Sequence, residues 1–194
     1  MIRWPRDLGR LARRFRSARP FPHLVIDGFL SRGDHARMVA AIDREPHMLV
    51  ENEIYLHLRS SDPPMQPALR AFHTRIRADC SRFSKICGTP LTRADGSAYV
   101  YLPGHYLLPH SDSRQSEGRA IAWAYYLSAP KRGGELELFD CRTKDGAIVR
   151  TRVARKIAPR ANRLVLFAVS DLALHRVCEV LEGARTSIAG WFYP

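Results

Sequence analysis

The sequence predicts a mainly β domain with supporting helices, a double-stranded β-helix of the jelly-roll, cupin-like kind. Two observations lead there. From Ser97 onward, eight short strand patterns are separated by turn residues, at Gly104, Gly118, Gly133-Gly134, Asp145-Gly146, Pro159 and Gly183. Ahead of them lie two apolar-periodic helices, which would buttress one face of such a barrel.

In chain order, Pro20-Phe21-Pro22 closes a basic N-terminal segment and His23–Asp27 reads as a first strand. Ser31 is placed to cap a helix reaching about Glu45, with Met38, Val39, Ala41 and Ile42 on its apolar side and Pro46 as its stop. Over residues 50–59, Ile54, Leu56 and Leu58 alternate with Tyr55, His57 and Arg59, which favours a strand. A second helix carries Leu69, Phe72, Ile76, Cys80, Phe83 and Ile86 at steps of three and four, and Gly88 and Pro90 stop it. The later strands are expected at about 97–102, 106–112, 120–127, 134–139, 153–158, 162–168, 173–180 and 185–192. The expected division is a basic segment over residues 1–19 and one barrel domain over 20–194, as suits a chain of 194 residues.

Half of the net charge of +12 sits in the first 20 residues, where seven arginines face one acid, Asp7. Leu8, Leu11 and Phe15 fall at helical spacing there. Such a basic amphipathic stretch packs on the domain or touches RNA, an acidic or RNA-associated protein, or an anionic membrane surface; it also has the composition of an organellar transit peptide. Cys80, Cys87, Cys141 and Cys178 form no CxxC pair and no secreted framework, so buried thiols in a reducing cytoplasm are expected. No apolar run approaches the roughly 20 residues of a membrane span.

The chemistry is concentrated in His110-Ser111-Asp112, His175 and Arg185. Side chains at i and i+2 of a strand share a face, so His110 and Asp112 can both enter the barrel, and His175 from a late strand supplies a third ligand. Two imidazoles and a carboxylate on one face of an octahedron suit Fe(II) with open positions. Arg185 lies among Ala184, Ile188, Ala189, Trp191 and Phe192, where a guanidinium needs an anion. A co-substrate carboxylate would satisfy it through a bidentate fork, which makes 2-oxoglutarate the candidate, and Ser187 shares its face. Tyr101 and Tyr126 are further candidates to hydrogen-bond the co-substrate, and His105 to reach the pocket mouth.

The run Tyr101-x-x-Gly104-x-x-Leu107-x-x-His110-x-Asp112, with Gly118-Arg119-x-Ile121-Ala122, Tyr126-Leu127 and Gly133-Gly134-x-Leu136-x-Leu138, resembles the 2-oxoglutarate/Fe(II) oxygenases of the prolyl-hydroxylase superfamily. The C-terminal motifs Asn162-Arg163-Leu164-Val165-x-Phe167, His175-x-Val177-x-Glu179-Val180-Leu181 and Arg185-x-Ser187-Ile188-x-Gly190-Trp191-Phe192 are closer still. They resemble the catalytic domain of the group that hydroxylates a proline in a small-subunit ribosomal protein. By that resemblance His110, Asp112 and His175 carry Fe(II). Arg185, Tyr126 and Ser187 hold the distal carboxylate of 2-oxoglutarate, and Tyr101 lies near its metal-binding end. O2 is the second co-substrate, and ascorbate is a candidate stimulant. The eukaryotic members of that group carry a second, degenerate barrel, for which residues 20–194 leave no counterpart.

The expected substrate is therefore a prolyl residue of a protein or peptide. A free amino acid or a carrier-bound natural product is the alternative; Arg114, Arg119 or His105 would then meet the substrate carboxylate. A non-catalytic binding module conflicts with the intact set of four residues. A nucleic-acid demethylase lacks an aromatic-rich basic insert, and a halogenase needs the position of Asp112 vacant.

Overall fold

The computed structural model describes residues 2–113 and 117–194. Arg114, one of the carboxylate candidates above, lies outside the described residues.

The first helix, α1 (Leu8–Ser17), is capped by Asp7, whose side chain accepts from the Arg10 amide at 2.8 Å. Its apolar stripe of Leu11, Ala12 and Phe15 is buried. The basic segment is thus a packed helix, with its arginines left outside. After β1 (His23–Asp27), Ser31 caps α2 (Arg32–Ile42) by accepting from the Asp34 amide. The stretch around residue 50 is a hairpin, β2 (Met48–Asn52) with β3 (Tyr55–Arg59). The second expected helix is two, α3 (Pro67–Ala78) and α4 (Cys80–Cys87). Its apolar period runs on across the break, so periodicity alone conceals it. The break falls at Asp79, a buried carboxylate that accepts from Arg75 at 2.7 Å, Arg82 at 2.5 Å and the Trp4 indole at 3.1 Å. Gly88, in the left-handed region at φ 73°, ends α4.

The remaining chain is strand: β4 (Arg93–Ala94), β5 (Ser97–Tyr101), β6 (Tyr106–His110), β7 (Ile121–Ser128), β8 (Arg132–Gly133), β9 (Leu136–Lys144), β10 (Ala147–Ile157), β11 (Arg163–Ala168), β12 (His175–Val177), β13 (Val180–Glu182) and β14 (Arg185–Tyr193). Hydrogen bonding follows the order β1-β11-β7-β14-β5-β3-β6-β12-β9-β10. In β3, Leu58 and Arg59 pair with β5, while Tyr55 and Leu56 pair with β6. That strand therefore joins the two halves of a curled, antiparallel jelly-roll. The short pair β8–β13 passes so close that a Cβ on Gly133 would lie 2.1 Å from the Glu179 carbonyl oxygen, at a φ of +82° that L side chains avoid.

Strand β7 shows how the sequence makes room for a site. Its large residues Trp123, Tyr125 and Leu127 join the core between sheet and helices, with Phe83, Ile76 and Phe192. Its alternate residues Ala122, Ala124 and Tyr126 face the other way, into the barrel with Val165, Phe167 and Leu138. Each fully buried large side chain contributes roughly 1.5–3 kcal/mol. The two alanines leave the barrel mouth unfilled.

Candidate active site

That unfilled space is a cavity of about 470 Å³, and His110, Asp112, His175, Arg185, Ser187, Tyr101 and Tyr126 all line it. Residues on or beside five strands, up to 86 positions apart in sequence, thus share one chamber.

His110 ends β6 and His175 begins β12, where the two are direct cross-strand partners. Asp112 lies two residues past the strand, so a turn out of the sheet rather than strict alternation brings it inward. The carboxylate sits between the rings: its Oδ1 is 3.5 Å from His110 Nε2 and its Oδ2 is 3.4 Å from His175 Nε2. The ligand atoms of the three residues lie within 4.8 Å of one another, the one such group of three or more among the described residues.

The backbone sets the tautomers. His110 Nδ1 is 2.8 Å from the Leu108 carbonyl oxygen and His175 Nδ1 is 3.1 Å from that of Ala173. A carbonyl only accepts, so Nδ1 carries the proton in each ring and Nε2 presents its lone pair toward Asp112. Burial drives the His175 pKa down to about 4, with Asp112 opposing the fall. Burial alone would raise the Asp112 carboxyl, but the two imidazoles set against it, His110 first, hold it at about 2. Two imidazoles offering Nε2 and one carboxylate are the donor set that suits a divalent first-row metal such as Fe(II).

Deeper in the chamber, Arg185 pairs across the sheet with Tyr101, and Ser187 with Tyr126. The guanidinium carbon lies 4.7 Å from the centre of the Tyr101 ring and 4.9 Å from that of Tyr126. Arg185 is 4% exposed and has no carboxylate partner among the described residues. Its Nε and the Tyr126 hydroxyl are buried without a hydrogen-bond partner. A buried cation and an idle phenol side by side form a cradle for an anion, here one with room beside the His-Asp-His group.

Three cavity residues carried no clear signal in the sequence. Tyr55, His57 and Arg59, the polar face of β3, all line the chamber. His57 is buried, stacks on Tyr101 with centroids 5.1 Å apart, and is held neutral by burial and by Arg59 and Arg185, its pKa lowered to about 4. The alternation of Tyr55, His57 and Arg59 with leucines was the available clue, but it does not say which face points inward. Arg119 also lines the cavity, its guanidinium 3.6 Å from the centre of the Trp191 ring and paired with Glu117. His105 does not line it.

Comparison with known proteins bears on this geometry. The profile of the 2OG-Fe(II) oxygenase superfamily matches residues 96–193, half of the chain, a span that includes His110, Asp112, His175 and Arg185. Prolyl 3-hydroxylase sudestada1 of Drosophila melanogaster is 29% identical over 189 residues, which cover 90% of this chain and 34% of that protein. Prolyl 3-hydroxylase OGFOD1 of Mus musculus is 30% identical over 190 residues, covering 90% of this chain and 33% of its own. The chain therefore spans about a third of the length of the curated relatives it matches. Among solved structures, a Pseudomonas putida prolyl-4-hydroxylase superposes with a TM-score of 0.74 at 20% identity, over 94% of this chain and 98% of the other. A Trichoplax adhaerens prolyl hydroxylase, solved with a hypoxia inducible factor oxygen degradation domain peptide, gives 0.70 at 19% identity, over 96% and 90%. At these identities the superpositions speak for the fold.

Proposed function

The chain belongs to the 2OG-Fe(II) oxygenase superfamily, and from that premise we propose that it hydroxylates a C–H bond of a prolyl residue in a protein or peptide, with Fe(II), 2-oxoglutarate and O2. The single observation that carries the co-substrate assignment is Arg185, a buried cation with no anion of its own, in the chamber of the His-Asp-His group.

In this proposal the domain is residues 20–194, with the 1–19 segment packed against it. His110, Asp112 and His175 hold the metal: their Nε2 lone pairs and carboxylate already converge, and the fixed Nδ1 protons keep the rings from turning. Bound Fe(II) supplies the redox chemistry that couples decarboxylation of 2-oxoglutarate to hydroxylation of the substrate. Arg185 takes the distal carboxylate of 2-oxoglutarate, the Tyr126 hydroxyl and Ser187 complete that cradle, and Tyr101 walls it toward the metal. The small side chains of Ala122 and Ala124 leave space for the co-substrate, and the surrounding aromatic wall keeps water out of it.

The prolyl assignment draws on the curated relatives, which are named as prolyl 3-hydroxylases. A free amino acid is the weaker substrate class: of the side chains expected to meet its carboxylate, Arg119 is already paired with Glu117 and His105 does not line the cavity. No helix among the described residues is long and apolar enough to cross a membrane. The four cysteines are free, two of them buried, which suits a reducing cytoplasm.

The test is turnover by the Fe(II)-loaded protein with proline-containing peptides and with free amino acids, read as succinate release and as addition of one oxygen by mass spectrometry. Oxygen on a prolyl residue is expected, and Asp112→Ala should abolish it. Efficient turnover of a free amino acid with no peptide modified would move the substrate to the other class. Full turnover by Asp112→Ala would remove the metal assignment.

A further inference from the structure

Strands β9 and β10 run on beyond the barrel as a two-stranded ribbon closed at Asp145-Gly146. Strand β10 is the last in the sheet order, and all ten of its residues from Ala147 to Lys156 are exposed. Arg142, Lys144, Arg150, Arg152, Arg155 and Lys156 make the ribbon cationic, against Asp140 and Asp145. Arg152 engages Asp140 through two hydrogen bonds of 3.0 and 2.8 Å, and Lys156 pairs with Glu137. Arg142, Lys144, Arg150 and Arg155 have no ion pair among the described residues.

Two of those free cations oppose each other. Arg142 and Arg150 are direct cross-strand partners, and like charges in that relation destabilise a ribbon. An anion shared between the two guanidinium groups would remove that cost and gain charge-assisted hydrogen bonds.

The ribbon is continuous with the other basic element. Arg14 and Arg19 at the end of α1 line one depression of about 290 Å³ together with His23 and with Arg155 of β10. Arg19 is partly engaged with the backbone carbonyls of Ser17 and Ala18, and Arg13 with Asp7. Arg10, Arg14 and Arg16 have no ion pair among the described residues. The charge therefore forms a track from α1, through the depression that Arg14 and Arg19 share with Arg155, and along the ribbon.

We infer that this track, from α1 to the β9–β10 ribbon, is a docking surface for double-stranded RNA, held by its phosphates. Arginine is the side chain whose planar fork grips phosphate oxygens in pairs. Residues 140–156 contain no aromatic residue to stack unpaired bases and no asparagine or glutamine to read base edges. Backbone contact without base reading is how A-form duplexes are held, their major groove being closed to side chains. An anionic bilayer fits less well: the apolar stripe of α1 is already buried in the core, and the exposed aliphatics of the ribbon, Ile148, Val149 and Val153, come with no aromatic side chain to seat them in lipid.

The experiment uses the full chain and fluorescence anisotropy with a labelled RNA duplex, and in parallel arms the matching DNA duplex, single-stranded RNA, an acidic polypeptide and phosphatidylglycerol vesicles. The RNA duplex should bind most tightly, and its affinity should fall steeply with salt. The double variant Arg142→Glu/Arg150→Glu should lose at least about tenfold in affinity, and its log K against log salt should be shallower by roughly two, at ~0.9 per phosphate contact. Arg142→Lys/Arg150→Lys should keep the salt slope. The single variant Arg150→Glu, which sets opposite charges face to face, should weaken binding while melting no lower than the wild type. Three results would overturn the inference: no duplex binding at moderate salt, binding that these variants leave unchanged, or tighter binding to DNA, to the acidic polypeptide or to the vesicles.

Discussion

Glu137 on β9 and Arg185 on β14 are charged side chains of opposite sign in one barrel, 0% and 4% exposed. Their surroundings differ in kind. Glu137 sits between cross-strand neighbours on both sides, Lys156 of β10 and Arg176 of β12, which reach its carboxylate at 2.7 and 2.6 Å. Desolvation pushes its pKa up, yet those two cations bring it below the ordinary carboxylate value. The fold has closed that charge off. Arg185 instead faces two aromatic rings and a cavity, with no acid paired to it among the described residues. A buried charge balanced by the fold is structural; Arg185, left unbalanced beside a cavity, is the one proposed to take a ligand's anion, which would return its desolvation cost on binding.

The comparison predicts opposite outcomes at the two sites, with stability lost on substitution at the balanced one. Arg176→Met should destabilise the fold by roughly 2–3 kcal/mol, short of the 3–5 typical of a lost buried partner because Lys156 remains. Urea denaturation measures this; a change within a few tenths of a kcal/mol would show that Glu137 does not need both cations.

A second effect tests the electrostatics around Arg185. His57 titrates near 4 in the folded protein against 6.5 ordinarily, because of burial and then of Arg59 and Arg185. Below 6.5 the unfolded chain takes up a proton that folded His57 refuses, so stability is lost as pH falls from about 6.5 to about 4 and levels off below. At 1.36 kcal/mol per unit the whole loss is on the order of 3 kcal/mol. The stability difference between the wild type and His57→Phe, followed across that window, should change by this amount. If 2-oxoglutarate compensates the charge of Arg185, as proposed, the lower edge of that window should rise and the loss should shrink, the upper edge being set by the unfolded chain. A difference that does not vary with pH would mean that the ring is hydrated.

Much of the site could be read from the chain because its donors sit at spacings that β-structure converts directly into geometry. Arg185 and Ser187 are two apart on one strand, and Tyr101 and Tyr126 lie on the strands flanking it. Asp112 came through by proximity to His110, although the strand ends at His110. The expected limits of 134–139 and 153–158 for β9 and β10 stopped short, because the ribbon has no buried face and so no apolar alternation beyond Phe139. The turn of the β2–β3 hairpin, at Glu53-Ile54, has neither glycine nor proline to announce it. His57 stayed hidden for a third reason: in a strand that is polar on one side and aliphatic on the other, only the tertiary fold decides which side lines a cavity.

The central claim, that Arg185 is kept for the carboxylate of 2-oxoglutarate, is tested most directly by thermal melting of the metal-loaded wild type and Arg185→Met, each with and without 2-oxoglutarate. At a hundredfold excess over its dissociation constant the ligand stabilises by about 2.7 kcal/mol, a rise of roughly 5–10 °C for a domain of this size. The wild type should show that rise. Arg185→Met should melt without ligand at the wild-type temperature or slightly above it, having lost an unbalanced buried charge, and should not respond to 2-oxoglutarate. An undiminished response in Arg185→Met, or a ligand-free melting point well below that of the wild type, would contradict the assignment.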